Sequence, residues 1–174
     1  MIAPDTQNVA LELRILWMDD EPLAVEKYAM QLKIEGAPLV IETVRSIGEA
    51  RERLKKDRTF LGLVVDCRMD PHDESQNGAE FLLEVNESEK SFPTFVYSAF
   101  LGDPRYRRVL DESVAILEER KLASWDRPLC RSPFFAKIIS VLEQYQKVKR
   151  LFPERIKFSG SSAFRVGKYD CWVT

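Results

Sequence analysis

Cysteine, histidine and long apolar runs are all scarce in this 174-residue chain, and each shortage excludes something. Cys67, Cys130 and Cys171 are odd in number and widely spaced. They lack the short Cys-x-x-Cys pairs that hold zinc or perform redox chemistry, so reduced thiols are expected. No stretch approaches the roughly 18–20 apolar residues of a membrane span. The start Met1-Ile2-Ala3-Pro4-Asp5 lacks the basic-then-apolar order of a secretion signal, and the expected location is the cytoplasm. A net charge of −2, from 26 basic and 28 acidic residues, offers no global attraction to nucleic acid or to anionic membranes.

What is present suits one folded domain. Hydrophobic residues make up 45% and charged residues 31%, enough for a core and a solvated surface. There is no internal repeat and no low-complexity tract. Leu13 to Met18 reads as a strand ended by acids, and Val25, Tyr28, Ala29 and Leu32 follow at helical spacing after Pro22. Leu39 to Val44 is rich in β-branched residues, and Ser46 with Glu49 forms a capping box ahead of Ile47, Ala50 and Leu54. Leu61 to Val65 is apolar enough for a strand covered on both faces, and Gly78 to Val85 carries a shorter helical pattern. Phe95-Val96-Tyr97 predicts a fourth strand, followed by a helical stripe of Tyr106, Val109, Leu110, Val114 and Leu117, then a fifth strand over Leu122 to Trp125. A last helix opens at Ser132-Pro133, carries Phe135, Ile138, Ile139, Leu142 and Tyr145 on its apolar face, and ends near Leu151 or Phe152.

Alternating strands and helices imply a parallel sheet with helices on both faces, because parallel neighbours need crossover connections. This α/β domain is expected over residues 12–152. A C-terminal extension over 153–174, with Ile156, Phe158, Phe164, Val166, Tyr169 and Cys171 around Ser159-Gly160-Ser161-Ser162, is expected to form a β-hairpin or a docking tail.

In such sheets function gathers at the carboxyl ends of the strands. Those ends present Asp19-Asp20-Glu21, Asp66, Ser98 and Asp126-Arg127-Pro128. Converging carboxylates repel unless a proton or cation lies among them, and hard oxygen ligands suit Mg²⁺. Magnesium held by one or two carboxylates keeps positions for phosphate oxygens, which a hydroxyl and a basic side chain can steady. Two other groupings have plainer readings. His72 among Asp70, Asp73 and Glu74 reads as an acidic loop rather than a metal site, and Lys147, Lys149, Arg150, Arg155 and Lys157 as a solvated helix end rather than a nucleic-acid patch.

Ile15-Leu16-Trp17-Met18-Asp19-Asp20-Glu21-Pro22, Leu63-Val64-Val65-Asp66-Cys67-Arg68-Met69, Asn77-Gly78, Phe95-Val96-Tyr97-Ser98-Ala99 and Arg127-Pro128 together resemble the receiver domain of bacterial two-component response regulators, over about residues 12–150. The resemblance implies a flavodoxin-like (βα)5 doubly wound sheet of order 2-1-3-4-5. It implies that Asp66 accepts a phosphoryl group from a histidine kinase or phosphotransfer protein, and that Asp19, Asp20, Asp66 and the backbone carbonyl of Arg68 hold Mg²⁺. Ser98 and Arg127 would serve the phosphoryl group, and signalling would run through a downstream protein partner or self-association. The chain would be a phosphoacceptor rather than a turnover enzyme. Two residues depart from the family pattern: Arg127 stands where a lysine is usual, and Ser124 where an aromatic switch residue is usual. They motivate an alternative, a pseudo-receiver interaction module not regulated by phosphorylation. A second alternative, a Mg²⁺-dependent phosphohydrolase, lacks an evident acid near Asp66 for the leaving group.

Overall fold

A computed structural model describes residues 12–69, 77–87, 93–99, 101–112, 115–118, 121–122, 125–151, 156–159, 163–166 and 169–172. The chain alternates β1 (Leu13–Met18), α1 (Leu23–Ile34), β2 (Leu39–Val44), α2 (Ile47–Lys56), β3 (Gly62–Val65), α3 (Gly78–Glu87), β4 (Thr94–Ser98), α4 (Arg107–Glu112) and β5 (Ala115–Glu118). A long helix, α5 (Pro133–Leu151), follows, and then three short strands, β6 (Ile156–Ser159), β7 (Ala163–Val166) and β8 (Tyr169–Trp172). The first five strands form one parallel sheet of order β2-β1-β3-β4-β5. The last three form a separate antiparallel sheet, so the extension carries one strand more than a hairpin.

Side-chain alternation along the central strands divides the core into two layers. Ile15, Trp17, Val64, Phe95 and Tyr97 pack with Val25 and Leu32 of α1 and with Phe134, Phe135, Ile138 and Leu142 of α5. Leu16, Met18, Leu63, Val65 and Val96 face the other way, onto Ile47 and Ala50 of α2 and Phe81, Leu82 and Val85 of α3. Helices on both faces explain why β3 is buried along its whole length. Ser46 Oγ accepts from the Glu49 N–H at 3.2 Å, the cap its sequence predicts for α2, while Glu49 Oε2 reaches back one residue beyond the cap to accept from the Arg45 N–H at 2.8 Å. α1 ends at Gly36, whose φ of 69° lets the chain reverse so that the Ala37 N–H reaches the Leu32 carbonyl at 3.0 Å. Cys67 is buried, Cys130 is half-buried, and both are free thiols.

The fifth strand lies seven residues earlier than predicted. Residues 115–118 pair with β4, Ser98 standing opposite Glu118, and Leu122 instead belongs to a helical turn and is buried in the core. The helical stripe drawn from Tyr106 to Leu117 is correspondingly cut short, since α4 stops at Glu112. The physical reason is that a short apolar run such as Val114-Ala115-Ile116-Leu117 fits a buried strand as well as a helix, and periodicity cannot choose between them. Ser124 and the His72 loop lie outside the described residues, as do Val114 and Arg155 of the predicted patterns. Among the described residues no helix is long and apolar enough to cross a membrane.

Candidate functional site

Asp19 follows β1 and Asp66 follows β3, and the two strands are hydrogen-bonded neighbours, so their carboxyl ends deliver both acids to one place. The Asp66 N–H donates to the Met18 carbonyl at 3.0 Å, which carries the ladder up to the acids themselves. One carboxylate oxygen from each of Asp19, Asp20 and Asp66 lies within 4.8 Å of the others. Local bonds aim these groups: Asp19 Oδ1 accepts from the Glu21 N–H at 2.9 Å, and Asp66 Oδ1 from the Arg68 N–H at 3.1 Å. Asp19 is buried, Asp66 half-buried and Asp20 exposed, so the cluster opens to solvent on the Asp20 side.

Burial pushes the Asp66 carboxyl up to about 7, and the charges of Asp19 and Asp20 add to that push. The Ser98 hydroxyl and the Arg68 N–H donate to the carboxylate and oppose it without prevailing. Ser98 is itself buried, at the end of β4 beside β3. Burial also pushes the neighbouring Cys67 thiol up to about 12, which leaves it protonated and unreactive.

α3 closes the site from behind. Asn77 Oδ1 accepts from the N–H groups of Ala79 and Glu80 at 3.1 and 3.3 Å and so caps the helix, and Asn77 bridges to Arg68 across the loop. Gly78 then passes so close to Asp66 that a Cβ there would stand 2.0 Å from the Asp66 carbonyl oxygen. The Asn-Gly pair is what lets α3 start against the backbone of the acidic residue.

The acids lie in a cleft of about 1100 Å³ whose walls include Lys27 and Tyr28 of α1, Arg45 after β2, Arg68 after β3, and Tyr97 and Ala99 at the end of β4. Arg127 is exposed and is not among the residues lining that cleft. Asp19, Asp20 and Asp66 are thus brought together, with the Ser98 hydroxyl and the Arg68 N–H on the Asp66 carboxylate. Sequence reasoning does not single out Lys27 or Arg45. Arg45 is within reach of the strand-end rule, because it directly follows β2, whereas Lys27 carries no signal beyond its place one turn into α1.

No protein-family profile matches this chain, and no curated protein matches it by sequence. Solved structures do match. The signal receiver domain of a Vibrio parahaemolyticus protein described as a Luxo repressor aligns with a TM-score of 0.61 at 15% identity, covering 81% of this chain and 98% of its own. The signal receiver domain of an HD domain-containing protein from Pseudomonas fluorescens gives a TM-score of 0.60 at 12% identity, covering 78% and 98%. A CheY-like receiver from Methanospirillum hungatei gives 0.57 at 16%, covering 79% and 98%. The fold is that of a response-regulator receiver domain. At such identities the likeness is one of fold, and the receiver fold accounts for most of the chain through α5.

Proposed function

We propose that this receiver fold accepts a phosphoryl group on Asp66 from a histidine kinase or phosphotransfer protein and signals through the protein contacts that phosphorylation alters. The observation that carries the reading is the trio of carboxylates within 4.8 Å, with Asp66 pushed up to about 7. So much negative charge in one place fits a bound divalent cation, and oxygen ligands alone fit Mg²⁺. Asp19, Asp20, Asp66 and the Arg68 carbonyl would hold it. When bound, Mg²⁺ would supply positive charge to the carboxylates and to the incoming phosphoryl oxygens.

The remaining work falls to the chain's own residues. Asp66 must be ionised to act as nucleophile; its carboxylate oxygen forms the new bond to phosphorus while the phosphorus–nitrogen bond of the donor phosphohistidine breaks, the electron pair leaving on the imidazole. The Arg68 N–H holds Asp66 Oδ1 and so orients the carboxylate. The Ser98 hydroxyl donates to the Asp66 carboxylate and, after transfer, is within reach of the new phosphoryl oxygens; following them would displace the end of β4. Nothing in this scheme returns Asp66 to its starting state many times over, so the chain acts as a phosphoacceptor rather than a turnover enzyme.

Acetyl phosphate with Mg²⁺ should add one phosphoryl mass to the wild-type protein and none to Asp66→Asn. A wild-type protein whose mass does not change would leave the pseudo-receiver module as the better account, a reading favoured by the exposure of Arg127.

A further inference from the structure

α1 is apolar on two opposite faces, and only one of them is covered. Val25 and Leu32 are buried in the core layer shared with α5, while Leu23, Met30 and Ile34 are 67%, 68% and 73% exposed. Leu23, Lys27, Met30 and Ile34 recur at intervals of four, three and four residues, so they form one stripe along the side of the helix away from the core, and all four are exposed. Among the described residues the only other large apolar side chain so exposed is Leu151, the last residue of α5. A single exposed leucine is ordinary, but a continuous stripe with the seam spacing of a coiled coil is the pattern of a helix that packs against a second helix.

The charges beside the stripe select that second helix. Glu26 and Lys33 lie on the same flank, both exposed, about 10 Å apart along the axis and too far to pair with each other. In an antiparallel pair of α1 helices related by a two-fold axis between Tyr28 and Ala29, like flanks meet. Glu26 of each copy then comes opposite Lys33 of the other, which makes two charge pairs. The same arrangement sets Leu23 against Ile34 of the second copy, and the aliphatic stem of Lys27 against Met30 of the second copy, with its ammonium directed to water. A parallel pair would set Lys27 against Lys27 and bring Glu26 opposite Gln31, with no charge pair gained. Leu23 and Lys27 also line the wall of the acidic cleft, so this face is continuous with the site.

We infer that the outer face of α1 is a self-association surface, on which a second copy of this chain packs its own α1 antiparallel about a two-fold axis. The contact uses the same residues on both copies, so it closes at a dimer. One face of a 12-residue helix falls short of the roughly 800 Å² per partner of a standard interface, so the dimer forms at micromolar rather than nanomolar concentration. The inference does not depend on phosphorylation of Asp66.

Sedimentation velocity on the full chain at low ionic strength, from about 1 to about 500 µM, tests it. Wild type is expected to pass from monomer to dimer within that range. Met30→Lys sets a second ammonium beside Lys27 of the other copy and should weaken dimerisation at least about tenfold. Glu26→Lys alone makes both charge pairs repulsive and should weaken it about tenfold. Adding Lys33→Glu restores both pairs with their signs exchanged and should bring the affinity back within about threefold of wild type. The three substituted positions are exposed, so every variant should melt with the wild type. A wild type that stays monomeric to the top of the range overturns the inference and leaves the stripe to a different partner. A dimer that Met30→Lys leaves unchanged overturns it too, and a double variant as weak as Glu26→Lys alone overturns the antiparallel pairing.

Discussion

The two ends of the parallel sheet treat charge in opposite ways. At the carboxyl end, Asp19, Asp20 and Asp66 gather like charges around a cleft, and the Asp66 carboxyl is pushed up to about 7, mainly by burial. At the other end, Arg14 near the start of β1 pairs with both Glu42 and Asp57, and Arg53 pairs with Glu42 again. There the Asp57 carboxyl is held down to about 2, first by the Thr59 hydroxyl and N–H and then, against some desolvation, by Arg14. Glu35, at the end of α1 remote from the acids, is likewise satisfied by the N–H groups of Leu129 and Cys130. One end is arranged for stability, and the other keeps an electrostatic imbalance that a cation can relieve. Neutralising a carboxylate at the two ends should therefore move stability in opposite directions.

The largest effect is expected where the imbalance is built. Gly78→Ala places a Cβ 2.0 Å from the Asp66 carbonyl oxygen, and both groups are backbone-bound, so α3 or the loop after β3 must shift. Such overpacking should cost at least about 3 kcal/mol in urea unfolding. A loss under about 1 kcal/mol would mean that the close approach is not a rigid part of the site.

The sharpest test of the contrast is Asp66→Asn in metal-free protein. Because the folded carboxyl titrates near 7, above its ordinary value of 3.8, the folded state holds its proton more tightly than the unfolded state. Stability is therefore highest below about pH 4 as far as this group is concerned, and falls as pH rises through about 7. Asp66→Asn removes that penalty and should stabilise the metal-free protein by about 2 kcal/mol at pH 8, an allowance for the partial exposure of the group. Added Mg²⁺ should stabilise wild type and do little for the variant. Wild type and variant with the same pH profile would show that the acids are not in conflict.

Much of this site is legible in the amino-acid sequence because strand ends are marked chemically. The apolar runs Leu13–Met18 and Leu61–Val65 stop at acids, and Asp19, Asp20 and Asp66 duly meet. The capping residues Ser46 and Ser132 mark helix starts by the same local chemistry. What the sequence leaves open is decided by packing at a distance. Val114 to Leu117 and Leu122 to Trp125 are both short apolar runs, and the choice between them as fifth strand rests on which pairs with β4. That choice leaves Arg127 nine residues past the end of the fifth strand rather than two. Lys27 is silent in sequence for a related reason: its place in the cleft wall depends on how α1 lies over β4, which Tyr28 and Tyr97 set through a contact 69 residues apart along the chain.

At the stable end the expected effects are smaller, and losing a carboxylate there has the opposite sign to Asp66→Asn. Burial pushes the Glu35 carboxyl up, but the N–H groups of Cys130 and Leu129 and the Gln31 amide outweigh it and hold the group down to about 2. Its contribution is present above about pH 4.5 and is lost as pH falls toward 2. Glu35→Ala strands two backbone N–H groups beside α5 and should cost about 1–2 kcal/mol at pH 7, with a flatter acid limb.

Asp57→Asn should have the smallest effect, because Asp57 sits at a solvent-facing edge where Thr59 and Arg14 retain water as an alternative partner. Its carboxyl is depressed below the ordinary 3.8, so it stabilises the fold above about pH 4, and that contribution fades as pH drops to about 2. Thermal melts from pH 2 to 8 should show the Asn variant slightly less stable at neutral pH and converging with wild type in acid. A metal-free Asp66→Asn protein should show the reverse, converging with wild type in acid but lying above it at pH 8. If both variants deviate from wild type with the same sign at pH 8, the division of the sheet into a satisfied end and a strained end is wrong.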